Sequence, residues 1–149
     1  IADFAKRGRG KAKVTYAYGA FLKGGNISSE ITGNLVVCSW RLPHTSARDV
    51  RIGLSLGGGG TGSSFMMSRQ CASESCDGTI SHNRVTNCIN DVGLYLNRAT
   101  RAIVTSNDLS GTLGIDVRFE DSSAVIADNI IGDGRIRERD GGKVFEIGE

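Results

Sequence analysis

The chain has 149 residues, 21 of them glycine, and a net charge of +2 at pH 7. This length suits one domain with one core, and so small a net charge excludes a protein that binds polyanions through overall charge alone. No apolar stretch approaches the roughly 20 residues that span a bilayer, so we expect a single domain over residues 1–149 with no membrane partner. No signal peptide is visible and the chain begins without Met. The compartment is left open, with a secreted or periplasmic location as the working hypothesis.

A basic leader opens the chain at residues 1–13, with Lys6, Arg7, Arg9, Lys11 and Lys13. A solvated leader is favoured over an anion-binding arm, so nucleic acid is not expected as a partner. Residues 14–18 alternate like a strand, and residues 50–56 do so more cleanly. Between them, residues 40–49 hold the only proline and are interpreted as a long loop excursion.

Residues 57–62, Gly-Gly-Gly-Gly-Thr-Gly, contain the spacing G-x-G-x-x-G. Dinucleotide binding would require a βαβ unit around this segment, and none is indicated. A phosphate-binding Walker loop would require a lysine where Ser63 stands. The segment is therefore interpreted as a turn, because glycine permits the positive φ angles that sharp corners need.

The sequence contains four cysteines, Cys38, Cys71, Cys76 and Cys88. There is no C-x-x-C motif, and neither His44 nor His82 has the sequence spacing from a cysteine that is typical of zinc ligands. A zinc finger is therefore not expected. Buried or free thiols are the favoured interpretation. A disulfide between Cys71 and Cys76, closing a small loop, is the alternative.

Two short phrases repeat through the second half of the chain. The first, an Ile or Val followed three residues later by Asn, ends at Asn83, Asn107 and Asn129. The second, a Gly that opens an alternating apolar run, starts at Gly93, Gly114 and Gly134. Successive copies are 24 and 22 residues apart for Asn, and 21 and 20 apart for Gly. A fixed period in this range, built from short strands and turns, is typical of stacked coils.

A fourth copy of the Asn phrase ends at Asn34, which is 49 residues before Asn83. That interval is about two periods, so it holds either a hidden coil or one coil with a long excursion. Because Asn tolerates left-handed backbone and its amide can bond the backbone at a corner, we expect the four Asn to form an internal ladder. Coils are predicted over residues 26–140, and residues 143–149 are expected to form a strand that caps the open end.

These phrases resemble the repeats of right-handed single-stranded parallel β-helices, the pectate-lyase-like fold, and especially the β-helices of alginate and chondroitin lyases. The resemblance covers about residues 26–140 and rests on the Ile-x-x-Asn and Gly-(Leu/Ile)-x-(Leu/Val) phrases. It implies an all-β fold of roughly four to six coils of about 20–24 residues. It carries no catalytic motif that transfers residue by residue, and the fold hosts lyases, glycosidases, epimerases, esterases and non-catalytic spikes.

Alternation along the Gly-led strands divides their side chains between two faces. If these strands are in register, the residues that point inward are Leu94, Leu96, Ile115, Val117, Phe119 and Ile136. The residues that point outward form one row of Tyr95, Asp116 and Arg137 and a second row of Asn97, Arg118 and Arg139, with Glu120 beyond. A slip of one residue would exchange the two faces.

The outward face suits an acidic polysaccharide. Tyr95 offers a flat ring for a sugar, and Asn97, Asp116 and Arg139 are further candidate substrate contacts. Arginines on the same face match uronate carboxylates or sulfates, because a guanidinium binds an oxyanion through two parallel hydrogen bonds.

If the protein is catalytic, lyase-type β-elimination is the expected reaction. Arg118 or Arg137 would neutralise the substrate carboxylate and, with a lowered pKa, act as the base. Asp116 and Glu120 are candidate ligands for a Ca²⁺ that shares the first role, and no other cofactor is expected. Hydrolysis ranks below elimination because these two carboxylates lie about 13 Å apart along the strand, too far for either glycosidase geometry.

A solvated surface is the alternative interpretation of the same charges, with Asp116 and Arg137 as an ordinary cross-strand salt bridge. The chain would then be a non-catalytic β-helix fragment with a structural or self-associating role. A short stack of coils ends in unpaired strand edges, which recruit partners unless they are capped. We therefore expect a homo-oligomer, with a dimer as the simplest form.

Overall fold

The computed structural model describes residue 1 and residues 16–38, 50–58 and 70–147. Within these ranges the chain forms fifteen β-strands and no helix, so no helix that could span a membrane occurs there. The strands are β1 (Tyr16–Leu22), β2 (Asn26–Ile27), β3 (Glu30–Thr32), β4 (Leu35–Val37), β5 (Val50–Gly57), β6 (Ser75–Cys76), β7 (Thr79–Ser81), β8 (Arg84–Thr86), β9 (Val92–Asn97), β10 (Ala99–Thr100), β11 (Ala102–Thr105), β12 (Gly114–Arg118), β13 (Ser123–Ala127), β14 (Arg135–Arg139) and β15 (Lys143–Glu146). The all-β prediction is confirmed.

All strand pairings among these elements are parallel. One five-stranded sheet has the order β1-β5-β9-β12-β14 and another has the order β15-β13-β11-β7-β3. Smaller sheets contain β10-β6-β2 and β4-β8. We call each stretch that adds one strand to the first sheet a pass, so that passes one to five begin at β1, β5, β9, β12 and β14. This topology is compatible with a parallel β-helix.

Side chains from the two large sheets pack in one apolar cluster. Leu54, Leu94 and Ile115 lie side by side on β5, β9 and β12, and each is at most 1% exposed. From the other sheet, Ile80 and Val104 enter the same cluster, both fully buried. Burying one such side chain contributes roughly 1.5–3 kcal/mol, so the alternating apolar positions of the repeat are what hold the passes together.

Gly114 shows why a glycine opens the repeated strand. Its φ is +96°, and a Cβ at this position would overlap the backbone of Arg135 in the next pass. Any other residue would therefore strain the backbone and push the two passes apart.

The predicted asparagine ladder is present. The backbone N–H and Nδ2 of Asn34 donate to Oδ1 of Asn83 at 2.9 and 3.0 Å. Asn83 donates in the same way to Asn107 at 3.0 and 2.9 Å, and Asn107 to Asn129 at 3.0 and 2.9 Å. Each Asn also donates through Nδ2 to the carbonyl two residues before it.

The left-handed residue at this corner is not the asparagine, and the explanation given from the sequence is wrong on that point. The residue before each ladder Asn adopts it: Gly33, His82, Ser106 and Asp128, with φ of 68°, 54°, 55° and 53°. That residue turns the chain. The Asn that follows has its amide free to bond the passes on either side.

Asn34 bonds Asn83 directly, which settles the long interval between them. No coil is inserted at this corner, and β3 and β7 are immediate neighbours. The first two passes are therefore both long, since β5 begins 34 residues after β1 and β9 begins 42 residues after β5. The predicted excursion at residues 40–49 lies outside the described residues, as do residues 59–62 of the glycine-rich segment and residues 2–13 of the basic leader.

Both cysteine pairs are bonded, so the favoured interpretation of free or buried thiols is wrong. Cys71 joins Cys76, as the alternative proposed, and Cys38 joins Cys88. Cys38 directly follows β4, and Cys88 lies two residues after the end of β8, which pairs with β4. Their separation of 50 residues hides this proximity in the sequence, because it appears only when the first two passes are aligned.

The ends of the stack differ from the predicted coil boundaries. β1 pairs with β5, so the stack already includes residue 16. At the other end, β15 pairs with β13 in parallel register and continues its sheet. Phe145 on β15 is 57% exposed.

Candidate functional site

The Gly-led strands have the predicted register. Asp116 on β12 lies beside Tyr95 on β9 and beside Arg137 on β14. Arg118 likewise lies between Asn97 and Arg139. The structure therefore brings together the six polar residues of the two predicted rows, which we call the outward face. Their candidate roles in binding or catalysis remain predictions.

Half of this face is buried. Tyr95, Asn97 and Asp116 are only 5%, 5% and 4% exposed, although none of them belongs to the apolar cluster. Tyr95 does not present the open ring that was expected to stack on a sugar. Alternation shows which face a side chain occupies, but not what covers that face.

Arg118 is held by several groups. Its Nε donates to the Asp140 carboxylate, and its guanidinium lies 4.9 Å from the centre of the Phe119 ring. Hydrogen bonds to Asp140 and then to Tyr95 raise the pKa of Arg118 above its ordinary value. This is opposite to the lowered pKa that a general base would need, so the geometry fits Arg118 as a carboxylate-binding or positioning group.

Asp116 pairs with Arg139 and not with its row neighbour Arg137. Nη1 of Arg139 lies 2.9 Å from Oδ2 of Asp116. The guanidiniums of Arg118 and Arg139 stand in one row, and each has its own carboxylate. The expected salt bridge between Asp116 and Arg137 is not among the ion pairs of the described residues.

Two acceptor atoms on this face are buried without a hydrogen-bond partner among the described residues: Oδ1 of Asn97 and Oδ1 of Asp116. The rest of each side chain is satisfied, since Nδ2 of Asn97 donates to the Tyr95 hydroxyl at 3.0 Å. Buried polar atoms are paired in the great majority of cases, so a lone buried acceptor calls for an explanation.

Phe119 and Glu120 depart from the predicted alternation. β12 ends at Arg118, and Phe119 follows with a left-handed φ of 77°. Phe119 was expected to point into the core, but it is not part of the apolar cluster. The guanidinium of Arg98 lies 5.4 Å from the centre of its ring. Glu120 is an exposed turn residue.

Among the described residues, no third acidic side chain is placed to complete a metal site with the expected Ca²⁺ ligands Asp116 and Glu120. Over residues 16–38, 50–58 and 70–147, no group of three or more His, Cys, Asp or Glu side chains is placed to hold a metal ion. The two carboxylates also occupy different settings, one buried on β12 and one exposed in the turn.

Two functional candidates were missed from the sequence. Arg135 precedes Arg137 by two residues on β14, so the same alternation that selected Arg137 also selects Arg135. Asp140 follows Arg139 directly, and alignment of the passes places it near Arg118. Its signal was weak because it lies beyond the end of the strand.

Comparison of the chain with protein-family models, with curated proteins and with solved structures found no match.

Proposed function

We propose that this chain is a right-handed single-stranded parallel β-helix module that binds an acidic polysaccharide across its outward face. The parallel pairing of strands from successive passes supports the fold. Connections between parallel strands of one sheet are right-handed in about 98% of known cases, which supports the handedness.

The observation that carries the binding proposal is the unbalanced charge of β14. Arg135, Arg137 and Arg139 are exposed and alternate along one strand, about 6.6 Å apart. Arg139 is paired with Asp116. Among the described residues, the side chains of Arg135 and Arg137 have no ion pair. Unpaired guanidiniums in a row suit a chain of carboxylates or sulfates.

Binding is better supported than elimination. The face offers groups to neutralise a carboxylate, but Arg118 is held protonated by Asp140 and Tyr95, and Asp116 is tied to Arg139. Elimination remains a prediction, and it has a direct assay, since each cleavage creates an unsaturated sugar that absorbs ultraviolet light. A rise in absorbance with pectate, alginate, chondroitin or hyaluronan would establish it.

Affinity electrophoresis tests the binding proposal. Gels containing pectate, alginate or chondroitin sulfate should retard the protein, and gels containing neutral dextran should not. Arg137→Ala should weaken binding about threefold, the effect of one exposed charge contact. Arg84→Ala is the matched control, because it removes the same charge from an exposed side chain on β8. Equal loss in both variants, or no retardation in any acidic gel, would contradict the proposal.

A self-associating structural module is the second candidate function. Within the described residues, β14 and β15 each pair with a neighbour on one side only. Phe145 and Ile147, at this end of the stack, are 57% and 65% exposed. Unpaired strand edges beside exposed apolar side chains favour association with another chain.

A further inference from the structure

Asn97 and Asp116 each keep one buried oxygen that no described group satisfies. In Asp116, Oδ2 accepts from Arg139 at 2.9 Å while Oδ1 accepts from nothing described. In Asn97, Nδ2 donates to the Tyr95 hydroxyl at 3.0 Å, while Oδ1 accepts no hydrogen bond from a described residue. Leaving such an acceptor unpaired is unfavourable, and more so when the group is charged. Two unpaired acceptor oxygens on one face indicate a site where a ligand donates hydrogen bonds to them.

The two residues that carry these oxygens lie on adjacent strands of the outward face. Asn97 is the neighbour of Arg118, and Asp116 lies two residues before Arg118 on β12, so the two side chains are diagonal neighbours on the same face. Two guanidiniums on this face are already engaged, Arg118 by Asp140 and Arg139 by Asp116. Neither oxygen is therefore satisfied by the arginines that surround it.

The surrounding charge decides what kind of donor fits. Arg118 and Arg139 would repel a metal ion or an ammonium group placed among them. A neutral hydroxyl donates a hydrogen bond without bringing positive charge. Arg137, which lies beside Asp116 in register and has no ion pair among the described residues, remains able to bind a carboxylate next to that hydroxyl.

We infer that Asp116 and Asn97 each accept a hydrogen bond from a sugar hydroxyl, one hydroxyl for each oxygen, while Arg137 binds the carboxylate of the same or the adjoining sugar unit. The preferred ligand is then a hydroxylated acid, such as a polyuronate, and not any polyanion. This rests on the proposed binding function and narrows its substrate class. A ligand could reach Asp116 when Arg139, its ion-pair partner, moves aside: the Arg139 side chain is 47% exposed, and exposed side chains change rotamer on the picosecond to nanosecond scale.

The test compares polygalacturonate with polyacrylate, which carries carboxylates but no hydroxyls. Polyacrylate has the denser charge, so attraction by charge alone favours it. The proposal requires the opposite order, with the wild-type chain binding polygalacturonate about tenfold or more tightly, as expected for hydrogen bonds to buried acceptors of which one is charged.

The Asp116→Asn variant distinguishes attraction by charge alone from hydrogen bonding to sugar hydroxyls, because the two predict opposite changes in affinity for polygalacturonate. The substitution removes a negative charge and releases Arg139, so charge alone predicts tighter binding of both polymers. The proposal predicts that polygalacturonate binds about tenfold more weakly, because the amide is uncharged and has one acceptor oxygen in place of two, while polyacrylate binds no more weakly. Asp140→Asn is the matched control. It also removes a carboxylate paired with an arginine, but leaves both acceptors in place, so the preference for polygalacturonate should persist.

Each result decides something. Equal or tighter binding of polyacrylate by the wild type, or tighter binding of both polymers by Asp116→Asn, overturns the hydroxyl site and leaves acidic-polymer binding standing. Binding of neither polymer by the wild type overturns both proposals. If circular dichroism shows that Asp116→Asn does not fold, Asn97→Ser provides the second variant. It should weaken binding of polygalacturonate only, and an unchanged affinity would count against the site.

Discussion

Asn83 and Asn107 are joined by two hydrogen bonds that end on a single atom. The backbone N–H and Nδ2 of Asn83 both donate to Oδ1 of Asn107, at 3.0 and 2.9 Å. Both residues are almost fully buried. Within a sheet, a backbone N–H donates to the neighbouring strand. At the corner between sheets, the side-chain oxygen of the asparagine accepts this hydrogen bond instead.

The ladder predicts that an interior asparagine stabilises more than the one at its edge. Asn107→Ala leaves the Asn83 backbone N–H without its acceptor and leaves the Thr105 and Ile80 carbonyls without their donor. We expect a loss of about 3 kcal/mol in the free energy of unfolding. For Asn34→Ala, whose Oδ1 receives no hydrogen bond from a described residue, we expect about 1 kcal/mol. Urea unfolding followed by circular dichroism measures both, and equal losses would count against the ladder.

The two disulfides should differ in their contribution to stability. In the loop-closure description, cross-linking residues 50 apart contributes about 4 kcal/mol, and a separation of 5 about 2 kcal/mol. The Cys38→Ser/Cys88→Ser double variant should therefore lose more stability than Cys71→Ser/Cys76→Ser. Denaturant unfolding of the two double variants gives the comparison, and the reverse order would show that strain or residual structure dominates.

Acid should weaken the fold through two carboxylates. Hydrogen bonds from Arg101, both 2.7 Å long, lower the pKa of Asp77 below 3.8, and hydrogen bonds from Ser110 lower the pKa of Asp108. A carboxyl whose pKa is lower in the folded chain stabilises above its unfolded pKa, and this stabilisation is lost as pH falls through the folded value. The free energy of unfolding should therefore decline below about pH 4. The decline should be shallower in Asp77→Asn, and an unchanged acid slope would contradict this assignment.

Arg118 should stabilise the fold more than an ordinary surface arginine. It contacts Asp140, Tyr95 and the Phe119 ring. We expect Arg118→Ala to cost about 1–2 kcal/mol in the free energy of unfolding. Arg137→Ala, which removes no ion pair among the described residues, should stay within about 0.5 kcal/mol of the wild type. Identical unfolding midpoints for the two variants would show that these contacts contribute nothing.

Self-association is tested by light scattering behind size exclusion. The chain has a mass of 15.8 kDa, and we expect a mass about twice that at micromolar concentration, because unpaired strand edges bind one another. A mass of 15.8 kDa at every concentration would contradict the prediction.

The repeat period was enough to predict the register of the outward face. Leu94 and Ile115 recur one period apart in a phrase whose alternation has one consistent phase, so aligning the phrases aligns the strands. The asparagine ladder follows from the same period. The register and the ladder could both be predicted because neighbouring passes repeat the same sequence pattern, so equivalent positions of the repeat lie side by side.

Three features of the structure could not be predicted from the repeat period: the end of β12, the burial of the outward face and the second disulfide. Phe119 continues the apolar alternation, yet its left-handed φ of 77° ends the strand before it can point inward. Tyr95 and Asp116 occupy the predicted face but are buried, and alternation along a strand does not predict whether its outward side chains are covered. Cys38 and Cys88 pair across the one interval whose length breaks the period.

The 49 residues between Asn34 and Asn83 also bear on the order in which the stack assembles. Closing a loop twice as long as its neighbours costs only about 0.6 kcal/mol more, but contacts between distant parts of a chain slow the search for them. The later passes, linked by intervals of 24 and 22 residues, are then the natural nucleus, onto which the first pass docks last. Native-state hydrogen exchange should show that β1 to β4 open at lower free energy than β9 to β13. The Cys38–Cys88 bond would act after this docking as a latch that keeps the first pass from detaching.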